Sequence, residues 1–139
     1  MIKKKIIVCM TALTITAGVF AANPLLQPYK TPYQTVPFDQ LKTEHFMPAF
    51  DEAMLQNKAE IDAIVNNLKP ATFENTIVAL DRSGRLLAQV SSPFYNLLGS
   101  ETNDELQAVA QELSPKMSEH SNSILLNEKL FARVKSVYD

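Results

Sequence analysis

His45 and His120 are the side chains in this sequence best able to do chemistry, and their setting argues against a metal centre. A catalytic zinc takes three protein ligands, commonly two histidines one helical turn apart plus a carboxylate. His45 is followed by Phe46 and His120 by Ser121, so neither opens a His-Glu-x-x-His helix. They also fall far apart, on different predicted helices. His120 reads as a hydrogen-bonded histidine on a packing face, and His45 as a first-turn residue. The acidic pairs Asp51-Glu52 and Asp104-Glu105 do not converge on one substrate atom, because adjacent residues on a helix point in different directions. Ser83-Gly84 and Ser91-Ser92 lack the Gly-x-Ser-x-Gly of a nucleophile elbow. Arg82 and Arg85 read as a solvated face. The residues therefore assign no catalytic, cofactor-binding or metal-ligating position.

The elements around these side chains are helical. Phe46, Phe50, Met54, Ile61, Ile64 and Leu68 recur at helical spacing, with Thr43 as the expected N-cap, Pro48 expected to loosen the first turn, and Asn66-Asn67 and Lys69-Pro70 as the end. Thr72 caps a second stretch, with Glu74 in its first turn where the helix dipole favours negative charge. Phe73, Ile77, Leu80, Leu87, Val90, Phe94 and Leu97 continue it past Gly84 and Pro93, as one kinked helix or two short ones. Thr102-Asn103-Asp104-Glu105 fits a capping box with Thr102 as N-cap. Leu106, Val109, Leu113, Met117, His120 and Ile124 follow on one face, with Pro115 expected to kink the helix. Asn127 caps a last helix carrying Leu130, Phe131, Val134 and Tyr138, and the sequence stops inside that pattern without a Gly or Pro stop signal, which reads as an incomplete domain. No alternating strand pattern occurs. The expected fold class is all-α, three to four antiparallel helices over residues 39–139.

Ahead of the helices, residues 22–38 form an expected extended arm. Pro24, Pro28, Pro32 and Pro37 recur every four or five residues and exclude an α-helix. Residues 1–21 read as a secretory signal peptide: Lys3, Lys4 and Lys5 are followed by a largely apolar run from Ile6 to Phe20 and a small residue, Ala21, at the expected cleavage point. Cleavage there removes Cys9, the sole cysteine, and with it any disulfide or thiolate chemistry. It also leaves no membrane segment and predicts export, most simply to a bacterial periplasm. At 46% hydrophobic and 20% charged residues the 139-residue chain is of globular composition, and its net charge of −2 argues against a nucleic-acid partner.

Several segments, taken in order, resemble one family. They are Asn23-Pro24-Leu25-Leu26, Thr31-Pro32-Tyr33, Pro37-Phe38-Asp39, Glu44 to Phe50, Glu60 to Ile64, Thr72 to Ile77, Thr102 to Leu106, Pro115-Lys116, His120-Ser121 and Asn127 to Asp139. From about Asn23 onward the chain resembles the N-terminal region of the thimet-oligopeptidase, oligopeptidase A and peptidyl-dipeptidase family of zinc metallopeptidases, most closely an exported bacterial peptidyl-dipeptidase. The resemblance implies a helical lobe lining a channel that admits short peptides, and release of C-terminal dipeptides by the full-length enzyme. It implies zinc held by His-Glu-x-x-His and a further Glu, with the motif Glu as base on the zinc-bound water. None of those residues has a counterpart here, so the segment is expected to bind no zinc and to be inactive without the missing C-terminal catalytic domain. Parted from that domain it is expected to expose an apolar face and to be poorly soluble or molten. The alternative is a stand-alone exported helical module that binds a peptide or partner without catalysis.

Overall fold

The computed structural model describes residues 23–139; the signal-peptide reading of 1–21, Cys9 included, lies outside the described residues. Among the described residues there are no strands. Helix α1 spans Phe46–Val65, and a π-helical turn at Phe73–Val78 runs into the short α2, Ala79–Arg82. Helices α3 (Arg85–Ser100), α4 (Asp104–Leu125) and α5 (Glu128–Tyr138) complete the chain.

The ends of these helices are fixed by short polar side chains, not always the expected ones. Thr43 is not the N-cap of α1. Thr43–His45 form a single 3₁₀ turn in which His45 Nδ1 accepts the Lys42 N–H at 3.1 Å, and the N-cap position of α1 falls to His45, with no side-chain cap hydrogen bond. Pro48 is the third residue of α1, where a backbone N–H has no intrahelical partner to lose. Leu68 does not continue the apolar stripe; it lies beyond the Asn66 C-cap and is fully exposed. At the second start Thr72 caps as expected, its Oγ1 accepting from Asn75 N at 3.2 Å, and Asn75 Oδ1 adds a reciprocal bond by accepting from Thr72 N at 2.9 Å. The open choice for residues 73–100 resolves into separate helices. The chain breaks at Ser83-Gly84, where Gly84 takes φ 71°, the left-handed region that a Cβ disfavours. The cap of α4 is Asn103, whose side chain accepts from Leu106 N at 2.8 Å, and Thr102 sits one residue outside it. Neither Pro93 in α3 nor Pro115 in α4 ends its helix. Asn127 caps α5 as expected, accepting from Leu130 N at 3.0 Å.

Helix α1 is the centre of the packing. Phe94 of α3 meets Phe46 and Phe50 of α1 edge to face, at 5.1 and 5.3 Å between ring centroids, while the far end of α1 reaches Gly84 through Glu60. Those pairs run in opposite order, so α3 is antiparallel to α1. Asp51 with Lys116 and Asn57 with His120 run in the same order, so α4 lies alongside α1 in the same direction and antiparallel to α3. The main core joins Leu25, Phe46, Ala49, Phe50, Ala53, Val90, Phe94, Leu106 and Leu113. Full burial of each large apolar side chain contributes about 1.5–3 kcal/mol, and each edge-to-face ring pair about 0.5–1.5 kcal/mol more. A second, smaller core joins Ile61, Ile64 and Leu130 where α5 crosses the end of α1.

The proline-rich segment holds no α-helix, but its path is not continuously extended. Single 3₁₀ turns at Pro24–Leu26, Pro32–Gln34 and Phe38–Gln40 alternate with extended residues. Proline fixes a φ that suits the first residue of such a turn as well as an extended strand. Leu25 is completely buried in the main core, Asn23 Nδ2 donates to His45 O at 2.7 Å, and Gln89 Nε2 of α3 donates to Leu25 O at 2.9 Å.

Candidate functional site

The densest polar arrangement lies where the C-terminal half of α1 meets the Ser83-Gly84 break. Asn57 is the only buried residue of α1 with a polar side chain, and it stands on the apolar stripe between Phe50 and Ile61. Its Oδ1 lies 2.8 Å from His120 Nε2, which places the donated proton on that nitrogen. Glu60, one turn on, accepts from Gly84 N at 2.7 Å and from Gln56 Nε2 at 2.9 Å. Burial acts to raise the Glu60 carboxyl, but the hydrogen bonds from Gln56, Gly84 and Asn57 together hold it below the usual carboxylate range. Burial pushes His120 below the usual imidazole range. A Cβ built on Gly84 would lie 3.2 Å from Asn57 Nδ2, so the glycine also permits the close approach.

Beside this joint an open groove of about 490 Å³ runs between α1 and the 73–83 segment, lined by Glu60, Asn67, Asn75, Arg82 and Ser83 among polar residues and by Ile64 and Ala79. Its floor is tied from α5. Arg133 donates through Nη1 to Asn67 O at 2.9 Å, and through Nη2 to Lys69 O at 3.2 Å and Asn75 Oδ1 at 3.0 Å. Most polar groups here are engaged: Glu60 caps Gly84, Ser83 Oγ donates to Leu80 O, and Asn75 serves Thr72 and Arg133, while Arg133 Nε is buried without a partner among the described residues. The arrangement can hold three helices and a loop in register, and it sets no base beside a nucleophile.

The structure separates the side chains that the sequence singled out. His45 sits at the start of α1, bonded to Lys42, and His120 on α4 faces Asn57. Asp51 pairs with Lys116 at 3.2 Å, and the exposed Arg82 lies 3.8 Å from Glu74. Among the described residues no three His, Cys, Asp or Glu side chains converge as a metal site, and no helix is long and apolar enough to cross a membrane. Sequence reasoning passed over Asn57, Glu60, Asn75 and Arg133. For Asn57 a signal existed, a polar residue at a stripe position of α1; the partners of Glu60 and Arg133 are distant in sequence and gave none.

Comparison with known proteins gives these helices relatives. No family model matches the sequence. The dipeptidyl carboxypeptidase of Salmonella typhimurium is 45% identical over 118 residues, 85% of this chain, and that of Escherichia coli is 46% identical over 116 residues, 84% of this chain. Oligopeptidase A of Salmonella typhimurium matches at 27% identity over 117 residues, 84% of this chain. These matches make the chain similar to one stretch of the dipeptidyl carboxypeptidase and oligopeptidase A family. In each case the chain spans 17% of the relative's length.

Proposed function

We propose that this chain is the N-terminal helical part of an exported, zinc-dependent dipeptidyl carboxypeptidase and walls part of its substrate channel. The observation that carries this reading is the 45–46% identity to two dipeptidyl carboxypeptidases over 84–85% of the chain. The chemistry would act on short peptides and release C-terminal dipeptides. Zinc does not fit the described residues: His45 at the start of α1 and His120 on α4 are held by different partners, Lys42 and Asn57, and no three His, Cys, Asp or Glu side chains converge there. The metal and the base would then be carried by further polypeptide, and this segment would shape access to them. Its contribution is geometric, through α1, α3 and α4 held rigid by the main core. Lys3 to Lys5 and the apolar run behind them support export to a periplasm.

The test is to read the gene past the Asp139 codon and assay its product. The expected result is an open frame reaching a His-Glu-x-x-His run, and a product that removes dipeptides from peptide C-termini and stops doing so on chelation. A stop codon directly after Asp139 would overturn this reading in favour of a helical binding module. Export is checked separately by N-terminal sequencing, which is expected to begin near Ala22; a chain that begins at Met1 would remove the leader.

A further inference from the structure

The proline-rich segment folds around a cleft of its own. Leu25 and Pro37 are buried anchors, and residues 27–36 between them hold no buried side chain. Inside this loop lies a cleft of about 420 Å³, walled by Pro24, Pro28, Pro37 and Tyr29, with Lys30 and Gln40 in its polar lining. Small-molecule sites are of this size, roughly 300–1,000 Å³. The walls are held from outside the loop. Gln89 Nε2 of α3 donates to Leu25 O at 2.9 Å and to Gln27 O at 3.2 Å. The far end is closed by two threonines: the Thr31 hydroxyl donates to Thr35 O, and Thr35 Oγ1 donates to Pro32 O at 3.1 Å. That turn is reached at a cost. Tyr33 and Gln34 both take left-handed φ, 58° and 56°, which a Cβ disfavours, and Tyr33 is 99% exposed, so no burial offsets it. Strained backbone of this kind gathers at ligand clamps.

The lining defines what such a clamp would hold. Three proline rings and a tyrosine ring present flat apolar faces to another ring. The Lys30 ammonium is exposed, and among the described residues no carboxylate pairs with it. No acidic side chain lines the cleft, so an anion there meets a cation and no like charge. The exposed Gln40 side chain offers both a donor and an acceptor to an amide. We propose that this cleft binds a small carboxylate carrying an apolar ring and an amide, the group presented by an acylated aromatic amino acid or by the last residue of a peptide. The ring lies against Tyr29 and the prolines, the carboxylate pairs with Lys30, and the amide meets Gln40. The site needs no zinc and stands apart from the peptidase reading.

The sequence contains no tryptophan, so an indole probe reports binding without background. N-acetyl-tryptophan is titrated with the 139-residue chain and followed by fluorescence anisotropy. N-acetyl-tryptophanamide, which lacks the carboxylate, and Ala-Ala-Trp, which carries the same group at a peptide end, are titrated beside it. The expected result is saturable binding of the acid, with the amide weaker by roughly fivefold or more. Lys30→Ala is expected to erase that difference, and Tyr29→Ala to weaken acid and amide together. Binding of Ala-Ala-Trp as tight as that of the acid assigns the site to peptide ends; binding of the acylated amino acid alone assigns it to free amino-acid derivatives. No saturation below about 10 mM overturns the proposal, and so does a preference for the acid that survives Lys30→Ala. Should the 139-residue chain fold poorly alone, the same probes are tested by ligand-observed saturation transfer on Escherichia coli dipeptidyl carboxypeptidase with its matching residues replaced by those of this chain. Absence of a signal that depends on Lys30 there overturns it equally.

Discussion

Gly84 concentrates three demands at one position. Its φ of 71° breaks the chain between α2 and α3, its N–H is held by Glu60, and its missing Cβ leaves room for the Asn57 amide. A left-handed conformation costs a residue with a Cβ about 1–2 kcal/mol, and the 3.2 Å contact would also require Asn57 to shift. Gly84→Ala is therefore expected to lower stability by about 1–3 kcal/mol in chemical denaturation. An unchanged midpoint would show that the break tolerates a side chain. The same joint makes stability depend on pH. His120 and Glu60 both have folded pKa values below their ordinary ones, so the unfolded chain binds protons more readily. Their contribution is complete above the ordinary imidazole value of about 6.5. It declines as pH falls from there through the folded His120 value, and again below the ordinary carboxyl value of about 4.3 as Glu60 protonates. His120→Gln should flatten the first decline in thermal midpoint and keep the second; identical profiles for both proteins between pH 7 and 5 would remove His120 from this account.

At the scale of elements, helix starts distinguish neighbouring residues of similar chemistry. Asn103, not Thr102, accepts the Leu106 N–H, so Asn103→Ala is expected to cost about 1 kcal/mol and Thr102→Ala a few tenths, measured as shifts in thermal midpoint. The reverse order would restore the Thr102 cap that the sequence suggested. Both residues satisfy the same capping preference, and the choice turns on one residue of register, which propensity does not resolve. Thr72 and Asn127 were legible because each stands alone before an apolar run. The stripe of α1 was legible through Phe46, Phe50, Ile61 and Ile64, since helical spacing and burial agree there. Leu68 failed the pattern because Asn66 had already ended the helix. The break at Ser83-Gly84 stayed ambiguous in sequence, where a glycine can equally be tolerated inside a helix at modest cost. The Arg133 tie from α5 to Asn67, Lys69 and Asn75 was not legible, because its hydrogen bonds join segments about sixty residues apart and two of them go to backbone carbonyls. The candidate joint follows the same division: the buried place of Asn57 could be read from periodicity, but its engagement with His120 and Gly84 required the fold.

For the whole molecule, the unequal cores imply unequal stability along the chain. Phe46, Phe50, Phe94, Leu25, Val90 and Leu113 are fully or almost fully enclosed and join the proline-rich segment, α1, α3 and α4 around one centre. The other end rests on Ile61, Ile64 and Leu130, with Phe73 and Phe131 standing 64% and 68% exposed beside them. Exposed apolar side chains also occur elsewhere, at Tyr33, Phe38, Leu55 and Tyr95, but the thinner core lies under α5, and loosening should be greatest there. Local opening free energies follow the density of buried apolar contacts, so exchange in the 139-residue chain should order itself. Amides of α5 and of Phe73–Val78 are expected to exchange first, and those of Phe50–Ala53 and Val90–Phe94 last. Phe94→Ala removes the ring that both Phe46 and Phe50 pack against, and at about 3–5 kcal/mol it should abolish the slow class altogether. Phe131→Ala, by contrast, should leave the slow class untouched, since its side chain supports nothing in the main core. Uniform exchange across α1 and α5 would mean that the two clusters unfold as one unit, and α5 would then derive its order from this chain without a partner.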